Sequence, residues 1–547
     1  MIFTCGLLRG PGFTPQAAWV SARIAGWVAS KNDFTDPLAA AKLAHGILTA
    51  QIGGAFWARE LPDGAERIVL RPASSAAANE LVAEALAHYA APDLLLLADR
   101  LPPGIAASFA RRGIAVERER VDPWSVLRRA RALWVGGDAD LAVLGVLAGK
   151  TVQCHTPGLA TQPDVASALL RADRYGDPRT GQAIDAHAAI DLLCEWREVV
   201  KANQRIGCCV GIAFWKRRRM AAFFHNGLCA PRFVRNTRAA LGALPEGIAG
   251  WNARLPPGLA EQAGTRLRRV EDGFIRSLGL GSGFLPPSSI VVDGRGIYYD
   301  PRQPSDLEHI LAETVFTAAL CQRATALIAH LNQRGVTKYA AGGSAENVAA
   351  PPGRLRILVP GQVADDLSVM LGGGVVRSNL ALLESVRAAN PDAWIVYKPH
   401  PDVEAGHRAG VVAVADLQRL TDQVVRGGAI SALISQVDAV HTMTSLAGFE
   451  ALLRGRDVSV LGHPFYAGWG LTHDLNPILR RKRRLSLAEL AAGVLLLYPR
   501  YLDPVSSLPC GPELLLARLE QPELWRPTGL MRLRELQGRV KKRLQNL

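Results

Sequence analysis

Apolar positions along this chain follow three successive rhythms. Residues 1–180 are Ala-rich and alternate helical periodicity with short apolar runs such as Leu94-Leu95-Leu96-Leu97. From 185 to 345 the pattern opens with a helical stretch, Ile190 to Ala202. Cys208-Cys209-Val210-Gly211-Ile212 then reads as a buried strand, and Leu307 to Arg334 as one long helix. Gly, Ala and Pro crowd Ala341 to Gly353, the composition of a joint between domains. Beyond it the rhythm becomes strand, helix, strand. Arg356 to Pro360, Ala393 to Lys398, a run ending at Val440-His441, and Val458 to Leu461 are strands; Asn379 to Ala389 and Ser445 to Leu453 are helices. Such alternation predicts a parallel sheet covered on both faces, whose ligands bind beyond the carboxyl ends of the strands. The loops after Pro360, Lys398 and His441 are therefore where chemistry is expected.

A shift of 306 residues lays Trp124-Ser125-Val126-Leu127 on Ile430-Ser431-Ala432-Leu433, Leu147 to Lys150 on Leu453 to Arg456, and Val152 on Val458, without a gap. Chance likeness between two Rossmann-like helices would give some of this. One ungapped offset over the whole stretch favours a decayed duplication.

At 547 residues the chain calls for two to four domains. No stretch offers the roughly 18 uninterrupted apolar residues of a membrane span. The opening MIFTCGLLRGPGFTP lacks an export signal, so a cytoplasmic location is expected. Eight dispersed cysteines without a C-x-x-C pair fit small hydrophobes in a reducing compartment, not a zinc site or disulfides. The net charge of +14 asks for an acidic partner: nucleic acid, an anionic membrane surface or an acidic sugar nucleotide. It concentrates in Lys216 to Arg219, Arg480 to Arg484 and Arg539 to Arg543. Aromatic residues are not interleaved with these runs, so nucleic acid is not expected; solvated faces and a membrane role stay open.

Five segments carry polar groups where chemistry would sit. Gly361 to Ser368 holds Gln362, Asp365 and Asp366 after a strand; an Asp there can attack an anomeric carbon, or simply cap a helix. Tyr397-Lys398-Pro399-His400-Pro401-Asp402 presents a lysine and an imidazole stiffened by prolines, able to neutralise a leaving phosphate. His441 to Glu450 places Thr444 and Ser445 at a helix start, an anion site or a plain cap. Under the 306-residue shift these two fall on Asp138 and Ala139, where a carboxylate would repel phosphate. Val270 to Ser277 holds Glu271 and Asp272 before a glycine, a general acid/base or a turn paired with Arg276. His463 to Gly470 is aromatic and small, fit to stack on a base or to pack a seam.

Together with Trp215 to Arg219 and Gly296-Ile297-Tyr298-Tyr299-Asp300-Pro301, these motifs resemble, from about Tyr175 to about Tyr501, the capsule polysaccharide biosynthesis family of bacterial β-Kdo transferases. The resemblance implies an α/β, GT-B-like fold of two Rossmann-like lobes, preceded here by a degenerate α/β domain. It implies CMP-β-Kdo as donor, with neither cofactor nor metal, and retention by double displacement. Asp366 becomes the nucleophile by the family's Gln-x-x-x-Asp spacing, and Glu271 the acid/base partner with Asp272 second. Lys398, His400, Pro401, Thr444, Ser445 and Gln362 line the cytidylate site.

The acceptor implied is a Kdo-terminated lyso-phosphatidylglycerol linker, the linkage β-(2→7), and the place the inner face of the cytoplasmic membrane beside a capsule assembly and export complex. Residues 1–180 lack counterparts of Glu271-Asp272, of the Gln362 to Asp366 loop and of Lys398 to Pro401. They read as a noncatalytic remnant of a first module, before an acceptor-side lobe at 181–347 and a nucleotide-sugar lobe at 354–547. Two rivals remain: a transferase of another CMP-linked acidic sugar such as sialic acid, and a noncatalytic scaffold of the assembly complex.

Overall fold

The computed structural model describes residues 8, 10–11, 37–136, 138–155, 175–242, 247–275, 286–334, 336–337, 340–341, 346–406, 408–521 and 524. Arg276, Ser277 and the basic run 539–543 lie outside them. Contacts divide the chain into two compact units, 1–205 with 224–231, and 206–223 with 232–547.

In the first unit, β1 (Arg67–Arg71), β2 (Leu94–Leu97), β3 (Ala115–Glu117), β4 (Ala130–Val135) and β5 (Thr151–Cys154) form a parallel sheet in the order β3-β2-β1-β4-β5. All four leucines of β2 are buried, as a parallel strand covered on both faces requires. Helix Ala186–Gln204 belongs to this unit, not to the acceptor-side lobe that was expected to begin at 181. Its fully buried Trp196 and Arg197 explain why; the Arg197 guanidinium pairs with buried Asp122 at 3.4 Å.

The second unit holds two sheets. In its first lobe β6 (Ile206–Val210), β7 (Arg232–Val234), β8 (Gly247–Trp251) and β9 (Leu267–Asp272) run parallel, and β10 (Ser289–Asp293) joins β9 antiparallel. The second lobe's sheet is wholly parallel: β11 (Arg356–Pro360), β12 (Trp394–Lys398), β13 (Gln423–Val424), β14 (Ala439–Thr442), β15 (Asp457–Val460) and β16 (His473–Asp474), in the order β13-β12-β11-β14-β15-β16. The order reverses between β11 and β14, which opens a crevice beyond their carboxyl ends.

The chain then returns. β17 (Pro499–Leu502) pairs antiparallel with β10, and β18 (Pro509–Cys510) with β17, so the segment expected to close the nucleotide lobe at 354–547 completes the first lobe's sheet instead. The two Rossmann-like lobes and this C-terminal return make a GT-B-like α/β fold.

Residues 307–334 form two helices, Asp306–Glu313 and Ala318–Arg334. Thr314 N–H closes the first on Ile310 O, and the Thr317 hydroxyl accepts from Leu320 N–H to start the second. The run Thr-Val-Phe-Thr offers β-branched and aromatic side chains where a continuous helix would need better formers. Both helices pack on Leu487–Ala491 and the π-helical turn Ala492–Leu497, in a core that includes Leu311, Leu327, Leu490 and Val494.

Within Arg480 to Arg484, Arg481 is buried and Arg483 half-buried, while Arg480, Lys482 and Arg484 are exposed. Arg480 and Arg481 both grip Glu308, Arg481 with its side chain 3% exposed, while Arg483 donates to Ala312 O and Thr314 O. Lys216 and Arg219 are likewise turned inward; Arg219 donates to Pro287 O, Ser288 Oγ, Leu502 O and Ser507 Oγ. These bonded side chains serve as structural cations, while Arg218, Lys482 and Arg484 of the same runs stay exposed. Among the described residues no helix is long and apolar enough to cross a membrane.

Candidate active site

The loop after β11 is built around Gln362, whose side chain is buried against the loop after β14. Its Oε1 accepts from Thr442 Oγ1 at 3.1 Å and from Thr444 N–H at 3.0 Å, and its Nε2 donates to Thr444 Oγ1 at 2.9 Å. Asn379, at the start of helix Asn379–Ala389, fixes the same residue's backbone: its Oδ1 accepts from Gln362 N–H and its Nδ2 donates to Gln362 O, both at 2.8 Å. One buried amide thus locks two loops across the crevice, with every polar end satisfied.

Asp365 and Asp366 are exposed just beyond. Asp365 pairs with Arg408 at 3.1 Å. Asp366 is the N-cap of helix Leu367–Gly372, its Oδ1 accepting from Ser368 N–H at 2.8 Å and Ser368 Oγ at 2.6 Å. Capping and chemistry are compatible, because both bonds fall on one carboxylate oxygen.

Lys398 ends β12 buried, its ammonium donating to Gly427 O. Burial lowers its pKa. His400 caps the single turn Pro401–Glu404, its Nδ1 accepting from Asp402 N–H at 3.2 Å. Burial lowers its pKa too, opposed by the carboxylates of Asp402 and Asp366. Asp366 and His400 therefore share one neighbourhood, and Pro401 sits at the first position of the turn, where a missing N–H costs nothing.

Ser445 is the N-cap of helix Leu446–Leu453, its Oγ accepting from Ala447 N–H at 3.2 Å, and Tyr466 donates from its hydroxyl to Ser445 O. In the first unit, the helix Ala139–Leu147 and β5 fall under the 306-residue shift on 445–453 and on β15. There the cap is Asp138, bound to Arg71 at 3.1 Å, and Arg71 also pairs with Asp99. The adjoining cavity, about 70 Å³, is small and lined by both arginine and aspartate.

From the first lobe, β9 ends in Glu271 and Asp272. Asp272 accepts from the buried Lys216 ammonium at 3.2 Å, and its own N–H donates to Glu271 Oε1 at 3.1 Å. Tyr299, buried in the turn after β10, accepts from Asn252 Nδ2 at 2.7 Å. Burial raises its pKa, and the charges of Glu271 and Asp366 push the same way. Carboxylates from opposite lobes thus act on one phenol.

Sequence reasoning chose Gln362, Asp366, Lys398, His400, Thr444 and Ser445 by motif, and the fold gathers them on two neighbouring loops and the exit of β12. It gave no role to Asn379, Ser368, Lys216, Asn252 or Tyr299. Of these, Ser368, Lys216 and Tyr299 stood in quoted motifs, whereas Asn379 carries no local signal. The aromatic segment His463 to Gly470 packs a seam: Phe465, Tyr466 and Trp469 are buried, Phe465 beside Phe274 and Phe449. Among the described residues no three of His, Cys, Asp and Glu are grouped so as to hold a metal ion.

Residues 254–501 match the family model described as capsule polysaccharide biosynthesis protein. The capsule polysaccharide modification protein LipA of Neisseria meningitidis (serogroup A) is 43% identical over 347 residues, which are 62% of this chain and 49% of that protein. The lipopolysaccharide-processing protein LpsZ of Rhizobium meliloti is 35% identical over 369 residues, 65% of this chain and 83% of that protein. A solved structure titled Thermosulfurimonas dismutans KpsC, beta Kdo 2,7 transferase, is 34% identical with a TM-score of 0.48, over 58% of this chain and 98% of that one. The chain spans about half the length of the meningococcal relatives it matches.

Proposed function

This chain belongs to the capsule polysaccharide biosynthesis family, and from that premise we propose that it is a retaining glycosyltransferase moving β-Kdo from CMP-β-Kdo to a Kdo-terminated lyso-phosphatidylglycerol linker, by a β-(2→7) bond. The reading is supported by the Asp366 loop being tied to the Thr442–Thr444 loop through Gln362 and Ser368, and by the charges of Asp366 from one lobe and Glu271 from the other both bearing on Tyr299. Double displacement needs two such carboxylates on either side of one anomeric centre.

An Asp366 oxygen attacks C2 of the donor sugar. The bond from C2 to the phosphate oxygen breaks, and CMP leaves with the electron pair. Lys398 and His400, kept poorly solvated by burial, gain most from a phosphate whose negative charge grows as it departs. Backbone N–H groups at the start of helix Leu446–Leu453 face the same charge. In the second step Glu271 takes the proton from the acceptor hydroxyl while that oxygen attacks C2, and the bond to Asp366 breaks. Two inversions give retention.

The test is elongation of a synthetic Kdo-terminated lipid acceptor with CMP-Kdo generated in situ, the new linkage read by NMR. A longer product with a β-linkage is expected. Consumption of CMP-sialic acid alone would move the reading to that sugar, and use of neither donor, with retention of capsule transport components on the protein, would leave a scaffold.

A further inference from the structure

We infer that the first lobe carries an anion-binding groove at β7, which holds the acidic groups of the acceptor beyond its terminal sugar: the headgroup phosphate or the carboxylate of a preceding sugar acid. This rests on the proposed acceptor. Charge is already concentrated here along the chain. Residues 206–266 hold nine Lys and Arg against two acids, Glu246 and Glu261, a surplus of seven. That is half of the whole chain's +14 in about a ninth of its length. Lys216 and Arg219 are bonded inward. Arg232, Arg235, Arg238 and Arg254 are instead exposed, and none of the four pairs with a carboxylate among the described residues. Exposed arginines of the second lobe differ: Arg408 holds Asp365, Arg419 holds Asp416 and Glu384, and Arg426 holds Glu404. Grouped cations without acids repel one another, a cost that a bound anion removes.

The fold sets these cations around one groove. Arg232, Val234 and Asn236 alternate along one face of β7 and its exit. With Arg238 and Ala239 of the helix Thr237–Gly242 they line an open groove of about 430 Å³. β7 is the outermost strand of its sheet, so no further strand bounds the groove. Because β6, β7, β8 and β9 run parallel, Arg235, next after β7, stands on the same carboxyl edge as Glu271. Arg254, three residues after β8, is held on that edge too. Its carbonyl oxygen lies so near Gly211, at φ +72°, that a Cβ there would stand 2.5 Å from it. Pro257 O accepts from Thr237 Oγ1 at 3.0 Å, which joins the exits of β8 and β7. β7 lies three strands from β9, about 14 Å along the edge. An acceptor whose reacting hydroxyl meets Glu271 therefore reaches these arginines only with its more remote anionic groups. The planar fork of a guanidinium matches two oxygens of a phosphate or a carboxylate alike.

The test is binding of three synthetic acceptors to the full chain by calorimetry without donor, followed by the KM of each in transfer from CMP-Kdo. They are one Kdo on short-chain lyso-phosphatidylglycerol, two Kdo residues on a neutral alkyl chain, and one Kdo on that neutral chain. Arg235→Gln with Arg238→Gln is expected to weaken the first, the second or both by about tenfold and to spare the third. The kcat and the KM of CMP-Kdo are expected to hold. A loss confined to the first acceptor identifies the headgroup phosphate, and one confined to the second the sugar carboxylate. Added salt is expected to weaken those acceptors more in the parent than in the variant. Arg111→Gln with Arg112→Gln, exposed in the first unit, removes the same charge and is expected to change nothing. Equal affinity of parent and variant for all three acceptors, a loss shared by the third, or the same loss from the Arg111 and Arg112 pair overturns the inference. Absence of transfer from CMP-Kdo, with acceptor binding still dependent on Arg235 and Arg238, instead overturns the parent reading alone.

Discussion

Asp366 holds a helix start and, on the proposed reading, a covalent intermediate. Asparagine caps a helix about as well as aspartate, so Asp366→Asn separates the two duties. Its thermal midpoint is expected to stay near that of the parent, while transfer falls by at least about a thousandfold, read by product formation under identical conditions. Gln362 makes the opposite case. Gln362→Ala leaves the Thr442 hydroxyl and the Thr444 N–H without their buried acceptor, at a cost of about 2–3 kcal/mol in stability. It also frees the Thr444 loop, so CMP affinity measured by calorimetry is expected to drop.

His441 reports on the same sheet by pH. Burial, reinforced by His473, pushes its imidazole down to about 4, against about 6.5 for the unfolded chain. As pH falls below 6.5 the unfolded state binds a proton that the folded state refuses until about 4. Stability therefore declines through that window, by on the order of 3 kcal/mol at its lower end. His441→Asn is expected to flatten the urea midpoint over that range relative to the parent.

Elements show where local patterns stopped being informative. The strands β11, β12 and β15 were legible because each is an apolar run bounded by turn residues, and with them came the positions of Gln362, Lys398 and His400. The long helix was not, because its periodicity continues across Thr314 to Thr317 although the backbone does not. Arg481 was hidden for another reason: Glu308, which holds it together with Arg480, lies more than 170 residues away, at 172 from Arg480, and no window of sequence contains both. Glu308→Gln tests the weight of that grip. It leaves the Arg481 guanidinium buried without its counter-charge, which is expected to cost about 3–5 kcal/mol. A fall of several degrees in the calorimetric midpoint would show it, and an unchanged midpoint would argue against a structural role for the run.

On the scale of the whole molecule, the chain does not divide where composition suggested. Residues 224–231 belong with the first unit although 206–223 do not: Asn203 donates to His225 O at 2.9 Å, and Phe224 is 1% exposed. A fragment beginning at Ile206 would leave Phe224 without that unit, so it is expected to be less soluble than the full chain, measured as the soluble fraction after identical expression. Ending the chain after Tyr498 removes β17 from β10, and the expected result is loss of the first lobe's cooperative unfolding, not a merely shortened second lobe. Because β10 precedes the second lobe and β17 follows it, that lobe is a cassette set into the sequence of its neighbour. Recombination that exchanges this lobe for another would need two splice points, and any exchange made at a single joint would carry a foreign strand into the first lobe's sheet.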